Sequence, residues 1–141
     1  RVIYRRRVPA GTPISYGSTF VTERETELAV IGAGYGNGLV RALSERGEVL
    51  IAGRRCPILG RVCMDQAVVD ATDALAFGAR IGTGDEAVIF GKQRLSDGGE
   101  TILPAAEAAR AAGTISYELF CLAGQMNPRV SFAEDQGSVM A

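Results

Sequence analysis

The chain has no histidine and no tryptophan, one lysine (Lys92) and only three cysteines (Cys56, Cys63, Cys121) among 141 residues. Each scarcity removes a class of chemistry. Without histidine there is no side chain whose ordinary pKa suits it to act as a general base near neutrality, and no imidazole for a metal. The cysteines are odd in number and lack C-x-x-C spacing, so neither a zinc site nor a disulfide framework is expected. All three are expected to be reduced and buried, since a free cysteine packs as a small hydrophobe. No apolar run approaches the ~20 residues needed to span a bilayer. The basic opening "RVIYRRRVPAG" also lacks the apolar segment of a signal peptide, so the expected setting is cytoplasmic.

What is present is a globular balance, 47% hydrophobic and 22% charged, at a length that suits one domain. Positive charge is carried by fourteen arginines, yet the formal net charge is −1, which offers no global attraction for nucleic acid. The "RRR" of residues 5–7 would be split by a strand, with Arg5 and Arg7 on one face and Arg6 on the other. Short apolar runs at 2–8, 14–21, 28–31, 49–52, 57–70 (interrupted near Met64) and 87–90 are divided by turn residues, with "GKQR" read as a turn. With 18 glycines, this pattern predicts a mainly β domain with tight corners, such as a barrel. One or two short helices are expected: "LPAAEAARAAG", with Pro104 at its first position and Gly113 at its end, and "TISYELFCLAG", stopped by Gly124. Val130 and Phe132 are expected to return to the sheet, and 133–141 to form a flexible tail.

Four stretches carry candidate chemistry. "TPISYGSTF" isolates Tyr16 between small residues, as suits a phenol presented to something else. "GAGYGNG" follows a strand but has G-x-G-x-x-x-G spacing, which is wrong for a dinucleotide fingerprint. Its glycines are explained either by backbone conformation and close approach, or by holding Tyr35 and Arg41 towards a ligand. "GRVCMDQ" groups Arg61, Met64 and Asp65, and chemistry alone reads the last two as one core and one surface residue. "SYE" places Tyr117 on a first helical turn, where a hydroxyl beside free N–H groups suits an anion.

Taken in order, "AGTPISYGSTF", "IGAGYGNGLVR", "GRVCMDQAVVD", "GDEAVIFG" and "AAGTISYE" resemble the C-terminal domain of the pyridoxal-phosphate-dependent alanine racemases. The resemblance implies a Greek-key-like β-barrel over residues 1–132, and an N-terminal (β/α)8 barrel, absent from this chain, that carries the cofactor lysine. It implies a homodimer in which each site takes residues from the partner's C-terminal domain. By position, Tyr16 matches the catalytic tyrosine that exchanges the α-proton opposite the lysine. Met64 matches the residue whose backbone N–H meets the substrate carboxylate, with Asp65 beside it, and Tyr35 matches a tyrosine narrowing the way in. Arg41 and Arg61 match positions along that corridor, and Tyr117 a hydrogen-bond partner of the cofactor phosphate. Asn37 departs from the pattern, since the family often has aspartate there.

The implied reaction interconverts L- and D-alanine by two-base proton exchange and supplies D-alanine for peptidoglycan precursors. Pyridoxal phosphate provides the electron sink. A phenol with an ordinary pKa of about 10 is a poor base at neutral pH and needs a nearby cation, a role the resemblance gives to an arginine of the absent domain. Lys92 lies in "FGKQRLSDGG", outside any cofactor pattern, so it is expected at the surface and the chain alone is expected to be inactive. Two alternatives stay open: a broad-specificity amino-acid racemase domain, and a non-catalytic β-barrel that binds a small ligand or a partner.

Overall fold

A computed structural model describes residues 1–126 of the chain. The elements run β1 (Val2–Val8), β2 (Pro13–Ile14), β3 (Phe20–Val21), β4 (Thr26–Ile31), β5 (Glu48–Ile51), β6 (Arg54–Leu59) and β7 (Ala67–Asp70). Then come α1 (Thr72–Ala76), β8 (Ala87–Val88), β9 (Gly91–Arg94), β10 (Glu100–Leu103), α2 (Ala105–Ala112) and α3 (Ser116–Met126). The expected return strand at 130–132 and the tail at 133–141 lie outside the described residues.

Six strands form one antiparallel sheet in the order β1-β4-β7-β6-β5-β8. Among the described residues, strand pairing does not close it into a barrel. Instead the Val2 N–H donates to the Asp85 carbonyl at 2.8 Å and the Gly84 N–H to the Val2 carbonyl at 2.8 Å. These two bonds tie edge strand β1 to the loop that leads into the opposite edge, β8. The expectation of a mainly β domain holds, but the described residues form an open sheet rather than the expected closed barrel.

Central strand β4 shows why its sequence is apolar without a break. Ala29 and Ile31 join the main core with Val49, Ile51, Ile58 and Val69. Leu28 points to a second cluster with Val8, Ile14 and Leu59. A strand covered on both faces loses the polar alternation of a half-exposed one. The second cluster exists because the small β2–β3 hairpin folds over that face, bringing Ile14 and partly buried Phe20. Buried Thr22 staples the hairpin stem: its hydroxyl donates to the Pro9 carbonyl at 2.8 Å and accepts from the Thr12 N–H at 2.9 Å.

Several local expectations change. The run 14–21 is not one strand, because residues 15, 17 and 18 have φ of 62°, 76° and 48° and bend the chain into a tight turn over Tyr16–Ser18. "GKQR" is not a turn but β9, paired with β10 around 95–99. Buried Gln93 earns its place there by accepting from the Gly53 N–H at 2.8 Å and donating to the Glu86 carbonyl at 3.2 Å. Pro104 caps α2 rather than opening it, and Gly113 ends it at φ 73°. Helix α3 runs through Gly124, where a stop was expected, and α1 was not foreseen. Leu119 anchors α3 against Ala108 and Ala109 of α2, while Ile115 stays exposed.

Candidate functional site

Three loops at one end of the sheet build a single open groove of about 1000 Å³. Tyr16, Tyr35, Arg41, Arg61, Met64 and Asp65 all line it, with Val40, Cys63, Gln66 and Leu122 between them. Six residues drawn from three separated motifs thus meet in space.

The loop after β4 is shaped by close backbone approach. The Tyr35 N–H donates to the Cys63 carbonyl at 3.0 Å and the Gly36 N–H to the Met64 carbonyl at 2.8 Å. A β-carbon at Gly34 would overlap the Cys63 and Met64 backbones, so only glycine allows this pairing. Gly38, at φ 89°, lies directly against the backbone of Ala123 in α3, which brings Leu122 to the groove. Of the two explanations for the glycines, close approach holds, and that approach is what carries Tyr35 into the groove. Asn37, where the resemblance leads to an aspartate, supplies an acceptor: its Oδ1 takes the Gly34 N–H at 3.1 Å.

Arg41 opens a short 3-10 turn, Arg41–Leu43. The Ser44 hydroxyl locks that turn to the neighbouring loop, donating to the Arg41 carbonyl at 2.6 Å and accepting from the Val62 N–H at 3.0 Å. The third loop, 60–66, is closed by the Cys63 N–H on the Gln66 carbonyl at 2.9 Å. Met64 and Asp65 sit at its exposed tip, and the Met64 N–H has no acceptor among the described residues. Chemistry alone made one of this pair a core residue; Met64 is instead more than half exposed.

Tyr16 rides on the turn between β2 and β3 and is 72% exposed, so it is not a packing residue of this chain. The Arg61 guanidinium lies against that turn, Nη1 standing 3.2 Å from where a β-carbon on Gly17 would be. Neither Arg41 nor Arg61 has an ion-pair partner among the described residues, whereas Arg7, Arg24, Arg55 and Lys92 are all paired. Two unpaired guanidiniums on one groove favour an anionic group such as a carboxylate.

Tyr117 stands apart from the groove, 76% exposed on the first turn of α3. Its ring meets Phe120 edge-on at 6.5 Å, and Phe120 meets Phe90 at 5.6 Å. As a donor it fits one phosphate oxygen. The chain's one lysine does not fit a cofactor attachment, because Lys92 is exposed on β9 and its Nζ pairs with Glu100 at 2.9 Å.

The cysteines depart from expectation. Only Cys56 is a core residue; Cys63 is half-buried at the groove and Cys121 is exposed. Sequence reasoning also missed Leu122 and Gln66. Leu122 falls in the "TISYELFCLAG" helix, whose sequence names no partner across the groove, and Gln66 stands in "GRVCMDQ" without distinguishing chemistry of its own.

Comparison with known proteins completes the site's setting. A family profile described as "Alanine racemase, C-terminal domain" matches residues 1–131. Alanine racemase of Halothermothrix orenii is 43% identical over 129 residues, covering 92% of this chain and 32% of that protein. That of Carboxydothermus hydrogenoformans is 44% identical over 130 residues, with 92% and 33% covered. Among solved structures, alanine racemase from Streptomyces coelicolor A3(2) superposes with a TM-score of 0.74 at 40% identity, covering 92% of this chain and 31% of that one. The Bartonella henselae alanine racemase, solved with covalently bound pyridoxal phosphate, gives 0.76 at 31% identity, covering 92% and 33%. The chain therefore spans about a third of the length of the relatives it matches.

Proposed function

The chain belongs to the alanine racemase C-terminal domain family, and on that premise we propose that it is the part of a racemase interconverting L- and D-alanine that carries the catalytic tyrosine. The observation that carries the reading is the convergence of Tyr16, Tyr35, Arg61 and Met64 on one groove that no described residue fills. Its missing wall is assigned to an N-terminal (β/α)8 barrel of the same enzyme, in the partner subunit of a cytoplasmic homodimer. Residues 1–132 are assigned to the domain and 133–141 to a tail.

Pyridoxal phosphate, bound mainly by the absent domain, would stabilise negative charge at the substrate α-carbon. The roles of this chain's residues follow from their chemistry. Tyr16 Oη takes the α-proton from one face when deprotonated and returns one to that face when protonated. The opposite face is left to a lysine that this chain lacks. The Met64 N–H donates to the substrate carboxylate, with Asp65 beside it. Arg41 and Arg61 draw that carboxylate along the corridor, which Tyr35 narrows. Tyr117 would hold the cofactor by donating its hydroxyl to the phosphate, serving a different active site from Tyr16.

The test is Tyr16→Phe in the full-length enzyme. Removing a general acid–base group lowers turnover by roughly 10²- to 10⁴-fold, and the expected variant keeps the cofactor absorbance. Wild-type turnover in that variant refutes the assignment.

A further inference from the structure

We propose that Ser15 is the positioning residue for Tyr16, an inference that rests on Tyr16 being the proton-transfer group. Tyr16 is largely exposed, and its hydroxyl has no hydrogen-bond partner among the described residues. Within the described residues nothing at the end of the side chain fixes its place, so what this chain contributes to placing the phenol is the backbone that carries it.

That backbone is strained. Ser15 sits at φ 62°, ψ −176°, a region populated almost only by glycine. Such a conformation persists only where its surroundings over-determine it. Here the Ser15 hydroxyl donates to the Arg61 carbonyl at 2.7 Å. The Ser18 N–H closes the turn on the Ser15 carbonyl at 3.3 Å. Gly60 leaves the space, since a β-carbon on it would stand 2.9 Å from the Ser15 β-carbon and 2.8 Å from the Ile14 carbonyl oxygen.

The bond joins two walls of the groove. On one side it ends one residue before Tyr16; on the other it holds the segment that delivers Arg61 and Met64. The serine hydroxyl therefore sets the separation between the phenol and the Met64 N–H. A misplacement of about 1 Å at a reacting group can lower rate by roughly a hundredfold.

Substitution separates the clasp from the strain. Glycine adopts the Ser15 conformation freely but has no hydroxyl, so Ser15→Gly removes the clasp without stressing the fold. Ser15→Ala removes the clasp and keeps the strain. In the full-length holoenzyme, Ser15→Gly is expected to melt at or above the wild-type temperature and to keep KM. Its kcat should fall roughly ten- to hundredfold. The α-deuterium isotope effect should rise for one alanine enantiomer only, the one whose proton Tyr16 removes. Ser15→Ala should match that kinetic loss at a lower melting temperature, and should it not fold, the glycine variant decides alone. Wild-type kcat in Ser15→Gly overturns the inference, as does a loss with isotope effects unchanged or raised equally for both enantiomers. Tyr16→Phe run alongside separates the two ideas. If it retains full turnover, the tyrosine assignment fails and this inference with it. If it is inactive while Ser15→Gly is normal, only the positioning role fails.

Discussion

Single residues here are set by their neighbours' backbones as much as by their own chemistry. Gly34 has no special dihedral to defend; its value is that Cys63 and Met64 pass where a side chain would be. Gly34→Ala should therefore cost roughly 1–3 kcal/mol through overpacking. Denaturant midpoints would show it, and an unchanged midpoint would mean the 34–38 loop moves aside without cost. The three thiols differ for a comparable reason. Burial, with help from Asp70 and Glu48, pushes the Cys56 thiol up to about 12, so it carries almost no thiolate at neutral pH. Cys121 is exposed. Maleimide labelling of the native chain should modify Cys121 and leave Cys56 untouched until the protein is unfolded; rapid native labelling of Cys56 would contradict its place in the core.

At the scale of elements, α3, which brings Leu122 to the groove, packs on α2 through a buried side chain, and α2 in turn meets the sheet at a charged junction. Among the described residues of α3 Leu119 is the buried one, and Leu119→Ala should cost about 2–5 kcal/mol. The loss should appear as a lower melting temperature and faster amide exchange along α3; intact exchange protection would show that α3 is anchored elsewhere. On the other side of α2, the Arg55 guanidinium of β6 bridges Glu107 at 2.7 Å and Glu48 at 3.0 Å. The hydrogen bond to Arg55 holds the Glu107 carboxyl below the usual carboxylate range. A depressed folded-state pKa means that the stabilisation is complete above the ordinary glutamate pKa of about 4.3. It is lost as pH falls below that through the depressed value. Melting temperatures of wild type and Glu107→Gln should differ at neutral pH and converge in acid; a constant gap would exclude this ion pair as the cause.

At the scale of the whole chain, the proposed function rests on what the groove gathers and what it does not. The groove gathers two phenols, two guanidiniums without an ion-pair partner among the described residues and a loop N–H, but the chain's one lysine is engaged with Glu100 on the β9–β10 hairpin. Reductive trapping of the isolated chain with pyridoxal phosphate should yield no stoichiometric adduct at Lys92, and the isolated chain should not racemise alanine. A specific Lys92 adduct would redirect the functional reading.

Much of this was determined by the sequence alone. The lack of histidine excluded imidazole chemistry, and the unbroken "LAVI" marked a strand covered on both faces, because period and composition are local properties. The motifs "SYG", "GYGNG" and "CMDQ" identified the candidate residues before any contact between them was known. Only the tertiary structure decided that Tyr16 sits on a strained turn rather than a strand, because the compensating bond comes from Arg61, 46 residues away. It also decided that "GKQR" is a strand, because its partner β10 and the buried partners of Gln93 are contributed from elsewhere. It showed too that Met64 and Cys63 face a groove, since burial depends on what the rest of the chain leaves uncovered. Local pattern names the residues; long-range backbone contact places them.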